Sequence, residues 1–145
     1  MNDYADTGFL CSLYAPDAHS ARAVKAMARQ ASPLAFTWIH QLEFRNALRL
    51  RVFRGEITPS QRDASLNLLL ADLAAGVLAH HPAALTDLMT EAERLSATHS
   101  ERIGTRSLDI LHVAAALVTG SGKFLSFDLR QIKLAKAAGL KVKAP

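Results

Sequence analysis

The chain is poor in the features that would take it out of the ordinary run of globular proteins. Its 145 residues include one cysteine, Cys11, so no intramolecular disulfide framework exists, and a lone thiol fits a reducing compartment. It has no long hydrophobic run. The longest uncharged stretch, Ile110 to Gly122, is interrupted by His112 and a Gly-Ser-Gly turn and is too short to span a bilayer. The first residues, MNDYADTG, lack the basic segment and apolar core of a secretory leader. No internal repeat or low-complexity tract stands out, and no cysteine–histidine spacing suits zinc. These absences point to a cytoplasmic, globular, single-domain chain over residues 1–145.

What is present supports that reading. Half the residues are apolar, enough for a real core at this length. The net charge of +4 is a modest basic excess, compatible with a polyanionic partner. Two basic clusters stand out: Arg45, Arg49, Arg51 and Arg54 on one segment, and Lys133, Lys136, Lys141 and Lys143 near the C-terminus.

The organising stretch is SLDILHVAAAL, Ser107 to Leu117. Its pattern is a helix apolar on nearly every side, which is normally buried, with Ser107 as its expected N-cap. Asp109 sits in its first turn, and an ionised carboxylate enters a core only if it is paired, capping or bound to a metal.

Around it, short strand-like runs alternate with helical patterns. Strands are expected at Asp3–Asp6, Leu34–Trp38, Val77–His80, Lys123–Phe127 and Leu140–Val142. Helices are expected over Phe9–Tyr14, from there to about Gln30, over Ile39–Arg54, from Thr58 to about Ala75, from Pro82 to about Thr98, and from Asp128 to Ala138. Thr58-Pro59-Ser60-Gln61 reads as a capping box with proline at the first helical position. His99 to Arg106 reads as a polar connection. Strands joined by helical crossovers imply a mostly parallel five-stranded sheet covered on both faces. The site then lies at the carboxyl ends of the strands, where their order reverses.

Four carboxylates fall there. Asp6 ends the first strand and Asp128 follows the fourth, while Glu43 and Asp109 lie in the first turns of helices. Each has an ordinary explanation as a cap or a helix-margin acid; together they form an acidic cluster that a divalent cation would relieve. Oxygen ligands suit Mg2+ or Mn2+, which activate water and stabilise displacement at phosphate. Asp3, at the strand's beginning, is less suited. His112 fits a histidine bonded to a nearby carboxylate or carbonyl. Cys11, Trp38 and most phenylalanines fit core packing, and Asp63, Asp72, Asp87, Glu91 and Glu93 fit polar helix faces.

Four stretches, in order and spacing, resemble one family: YADTGFLCSLY, then EFRNAL from Glu43 to Leu48, then SLDILHVAAAL, then FLSFDLRQIKLAKAAGLKV. The chain resembles PIN-domain proteins, and more closely the VapC-type toxins of bacterial toxin–antitoxin pairs. The resemblance covers essentially the whole chain. It departs at Gly8, where serine or asparagine is frequent, and at Ser126, where threonine is common. It implies a three-layer α/β/α sandwich and a metal-dependent endoribonuclease in which Asp6, Glu43, Asp109 and Asp128 form the catalytic and metal-binding site. Mg2+ or Mn2+ is the implied cofactor and RNA the substrate. A small VapB-like antitoxin and a second copy of the chain are the implied partners. Thr7, Ser126 and Asn46 are candidates for orienting carboxylates or touching substrate. Competing readings are a PIN nuclease of RNA maturation without an antitoxin, a receiver-like signalling domain, and a binding module whose acids hold only a structural ion.

Overall fold

In the computed structural model, which describes residues 2–145, the chain forms five short parallel strands and the helices between them. The order along the chain is β1 (Tyr4–Ala5), α1 (Thr7–Tyr14), α2 (Ser20–Ala28), β2 (Leu34–Phe36), α3 (Trp38–Phe53), α4 (Pro59–Ala74), β3 (Leu78–His80), α5 (Leu85–Leu95), a π-helical turn (Ser96–Ser100), α6 (Glu101–Ile103), α7 (Ser107–Val118), β4 (Lys123–Leu125), α8 (Leu129–Ala137) and β5 (Lys141–Lys143). Strands β1, β4 and β5 pair in parallel, as do β2 and β3. A single parallel bridge from Asp3 to Leu34 joins the two groups, with Ala35 N donating to Asp3 O at 2.8 Å. The run is therefore β3-β2-β1-β4-β5, and its order reverses between β1 and β4.

Alternation along the strands divides the core in two, because successive side chains point to opposite faces. Ala5, Leu34, Phe36, Leu78 and Leu125 pack with α1–α4 residues such as Phe9, Leu10, Phe44 and Leu69. Tyr4, Ala35 and Phe124 pack on the other face with Leu88, Leu95, Val113–Ala116 and Leu134 of α5, α7 and α8. This is the three-layer sandwich expected from the sequence. Among the described residues no helix is long and apolar enough to cross a membrane.

Several local expectations hold and three change. The capping box at α4 is formed: Gln61 N donates to Thr58 Oγ1 at 3.1 Å, and Thr58 N to Gln61 Oε1 at 2.8 Å. Helix α5 starts at Leu85 and not at Pro82, because His81 N still bonds to Phe36 O and Ala83 N folds back to His81 O. The segment expected as a polar connection is largely helical: α5 continues through the π turn into α6, and the chain breaks only at Gly104, whose φ of 72° suits glycine. Ser107 is the first residue of α7, not its cap; Arg106 holds the cap position without a side-chain bond, which puts Asp109 at the third helical position.

One buried histidine fixes α3 against the sheet. His40 is fully buried, its Nδ1 accepts from Thr37 N at 3.0 Å, and its Nε2–H donates to Ala5 O at 2.7 Å. The acceptor role of Nδ1 defines a neutral ring, and burial, aided by the neighbouring His112 ring, depresses the His40 pKa from 6.5 to about 3. Unfolding therefore takes up a proton between those values, so stability rises with pH through that window and is lost as pH falls through it. We expect the wild-type unfolding free energy to fall by up to about 1.4 kcal/mol per pH unit below pH 6. His40→Gln should flatten that slope in urea titrations at pH 6.5 to 4.5; an unchanged slope would show that His40 is not buried neutral.

Candidate active site

Asp6 follows β1 and caps α1, accepting from Phe9 N at 2.8 Å through Oδ1. Its other oxygen accepts from Ser126 Oγ at 2.5 Å. Ser126, just beyond β4, also accepts from Asp128 N at 3.0 Å, so one hydroxyl ties the ends of β1 and β4 together across the strand-order reversal. Asp128 caps α8, accepting from Arg130 N at 2.8 Å and Gln131 N at 3.2 Å. The ordinary explanation, helix capping, is therefore true of both aspartates, and it is also what aims them. Asp6 is buried, while Asp128 is exposed.

Glu43 reaches the same place from α3, one turn after His40. Thr7 Oγ1 donates to Glu43 Oε1 at 2.9 Å, and His112 Nε2 bonds the same oxygen. The remaining ring nitrogen of His112, Nδ1, accepts from the buried Tyr4 hydroxyl at 2.7 Å. This orders a chain Tyr4–His112–Glu43 in which the acceptor-only carboxylate dictates the ring's orientation. His112 is thus the carboxylate-bonded histidine that the sequence suggested. Asp109, half-buried on α7 one turn before His112, completes the group.

All four carboxylates line one pocket of about 380 Å³, together with Thr7, His112, Phe127 and Gln131, and no lysine or arginine lines it. The electrostatics reflect that. Burial pushes the Asp6 carboxyl above its ordinary value and Asp128 adds to the rise, against the pull of Ser126, Phe9 N and His112. Burial works the same way on Glu43, but its hydrogen bond and electrostatic interaction with the His112 ring, together with the Thr7 hydroxyl, outweigh it and hold its carboxyl below the ordinary value. The two acids are thereby set apart in proton affinity within one pocket.

Not every sequence candidate joins this group. Asn46 lies exposed one turn past Glu43 and does not line the pocket. Asp3 is buried at the opposite end of β1, accepting from Gln30 Nε2 and Lys123 N. Cys11 is buried, with its thiol pushed up to about 12 by burial, which leaves it inert. Trp38 departs from the core reading, being 48% exposed. It lines a separate hollow with His80 and His81.

Gln131 was not foreseen. It is 1% exposed, lines the pocket, and its Oε1 finds no partner. The spacing Asp128-Leu-Arg-Gln131 carried a signal, since a glutamine three residues after a cap normally reaches back to the cap amide. Here Ser126 already takes that amide, which releases the Gln131 side chain.

The chemistry of the donor set fits a hard divalent cation. The walls offer carboxylate, hydroxyl and amide oxygens and imidazole nitrogen, and Asp109 makes no side-chain hydrogen bond to another of the described residues. Among the described residues no three His, Cys, Asp or Glu groups stand close enough to ligate one ion directly.

No family profile and no curated protein sequence matches the chain. Solved structures do. Mycobacterium tuberculosis VapC20, a sarcin-ricin loop cleaving toxin, superposes with a TM-score of 0.71 at 20% identity, covering 96% of both chains. VapBC2 from Rickettsia felis, bound to a DNA fragment from its promoter, gives 0.68 at 13% identity, covering 99% of this chain and 98% of that one. FitAcB from Neisseria gonorrhoeae gives 0.62 at 15% identity, covering 96% and 94%. The neighbours are VapC-type PIN-domain proteins, and the fold expected from the sequence is the fold the chain shares with them.

Removing the Tyr4 hydroxyl tests the network that holds Glu43. Tyr4→Phe leaves His112 Nδ1 buried without a donor, which should cost about 1–3 kcal/mol of stability in denaturant unfolding. A loss below about 0.5 kcal/mol, no more than a surface substitution typically costs, would show that the bond does not bear on the fold.

Proposed function

We propose that the chain is a metal-dependent endoribonuclease and the toxin of a type II toxin–antitoxin pair, acting in the cytoplasm. The observation that carries the proposal is the convergence of Asp6, Glu43, Asp109 and Asp128 on one pocket free of lysine and arginine, at the reversal of strand order. The likeness to VapC20, which cleaves the sarcin-ricin loop, supports the nuclease reading. The likeness to VapBC2 and FitAcB, both toxin–antitoxin complexes, supports a small protein partner.

Asp6, Glu43, Asp109 and Asp128 would hold Mg2+ or Mn2+, directly or through water. The ion, when bound, lowers the pKa of water and offsets charge on the reacting phosphate. The chain's own residues do the rest. Ser126 and Phe9 N fix the rotamer of Asp6, and Thr7 and His112 fix that of Glu43, so two of the acids are held before anything binds. Asp109, unpartnered, is free to orient water.

The decisive measurement is incubation of purified, antitoxin-free protein with total cellular RNA and Mg2+ or Mn2+. Discrete fragments should form and vanish with EDTA. Asp6→Asn and Asp109→Asn should fall to background, and Ser126→Ala, which only orients Asp6, should lose about 10–100-fold. In the absence of RNA, Mn2+ at about a hundred times its Kd should stabilise the wild type by about 2.7 kcal/mol, and Asp109→Asn by clearly less. Cleavage that survives in folded Asp109→Asn, or that ignores EDTA, would sink the reading. A fully active enzyme with no antitoxin-like reading frame beside its gene would favour a role in RNA maturation.

A further inference from the structure

Of the two basic clusters conspicuous in the sequence, the arginine cluster is partly taken up by carboxylates, and the lysine cluster is divided, with Lys133, Lys136 and Lys141 exposed elsewhere and Lys143 turned toward α2. Arg51 lies 3.5 Å from Asp17, and Arg54 pairs with Glu56 at 2.8 Å. Arg45 and Arg49 share their hollow with Asp63. A different set gathers on α2. Arg22, Lys25 and Arg29 follow the three- and four-residue spacing of one helix face, all three are exposed, and Lys143 of β5 joins them. Together they line a hollow of about 280 Å³ whose other walls are Ala26 and Pro145, with no carboxylate side chain among them. Arg22 Nη1 donates to a main-chain oxygen of Pro145 at 3.2 Å, while among the described residues no carboxylate pairs with Lys25, Arg29 or Lys143. Lys25, Arg29 and Lys143 are like charges around one cavity; they repel one another, and an anion relieves that repulsion.

The hollow neighbours the acidic pocket through contacts of Arg22 with His19 and Phe127. Phe127 lines that pocket, the His19 ring stacks on Phe127 with centroids 4.6 Å apart and planes 10° apart, and the Arg22 guanidinium sits 5.2 Å above the same ring. His19 lines the acidic pocket and bonds Arg22. A path of cations thus begins at Arg22, beside His19 at the margin of the acidic pocket, and runs about 10 Å along α2 to Arg29.

Building on the nuclease reading above, we infer that the α2 face, Arg22, Lys25 and Arg29 with Lys143, is a phosphate-binding track that holds the backbone of single-stranded RNA flanking the scissile bond. The track fits a strand better than a free phosphate because it begins beside the acidic pocket, at Arg22, and extends away from it along α2. A chain entering a pocket of carboxylates needs its neighbouring phosphates neutralised outside it. Phosphate contacts of this kind position the strand without reading its sequence.

The test measures binding of a short fluorescein-labelled single-stranded RNA to the wild-type protein in EDTA, by anisotropy across a range of KCl. It compares the exposed pair K25A/R29A with K133A/K136A, an equal charge loss on α8. Each lost phosphate contact lowers the salt slope by about 0.7, so K25A/R29A should reduce it by about 1.4 and weaken binding about 25-fold near 0.1 M salt relative to 1 M. K133A/K136A should change the slope little. Under cleavage conditions K25A/R29A should raise KM and leave kcat nearly unchanged. Equal slopes for wild type and K25A/R29A, or an equal loss in K133A/K136A, overturn the track while leaving the nuclease reading standing. Displacement of RNA by inorganic phosphate well beyond that by chloride at matched ionic strength would make the hollow a free-phosphate site and overturn the track as well. A wild type that binds no RNA even at low salt would remove the nuclease reading, and the track with it.

Discussion

The bond from the His40 ring to the Ala5 carbonyl is the constraint on which the site's geometry depends. Strand β1 contributes only two residues to the sheet, too few to orient a helix by pairing alone. His40 spans from the first turn of α3 to the last residue of β1 and accepts the Thr37 amide with its other nitrogen. Glu43 lies one turn beyond His40 and Asp6 one residue beyond Ala5, so a single neutral imidazole sets the relation between two carboxylates from different elements. The cost is a histidine that must stay uncharged, which burial enforces.

A second layer of fixing comes from groups that serve the fold and the site at once. Asp6 and Asp128 cap helices, Ser126 bridges them, and Tyr4, packed on Phe124 in the core, orders His112 against Glu43. These arrangements hold negative charge in partly buried surroundings, where it is least welcome. The raised proton affinity of Asp6 records that tension. Active sites commonly store such unfavourable electrostatics in exchange for function.

Much of this was legible in the sequence. The alternation of short apolar runs with amphipathic segments gave the layered parallel sheet, because strand and helix periods differ and neither depends on distant partners. Asp6, Glu43, Asp109 and Asp128 were legible because strand ends and helix starts are local features. What escaped depends on packing. His40 looks like any helical histidine until the Ala5 carbonyl is placed beside it. Gln131 looks like half of a capping box until Ser126 takes the amide it would have bonded. The arginines of α3 looked like an electropositive face until Asp17 and Glu56 were folded against two of them. The π turn after α5 has no local signature, and the polar residues from His99 onward look like a connection until the helix is seen to continue to Ile103.

Strand β5 is an edge strand of only three residues, Lys-Val-Lys, with no neighbour beyond it among the described residues. Open strand edges invite pairing with other chains, and flanking lysines are a common defence, since a second sheet docking there would have to bury their charge. Lys143 therefore serves two surfaces. It completes the cation hollow beside α2, and with Lys141 it guards the open margin of the sheet against self-association. Replacing both lysines with apolar residues would expose that margin, and the cost would be read as lost solubility before it was read as lost affinity.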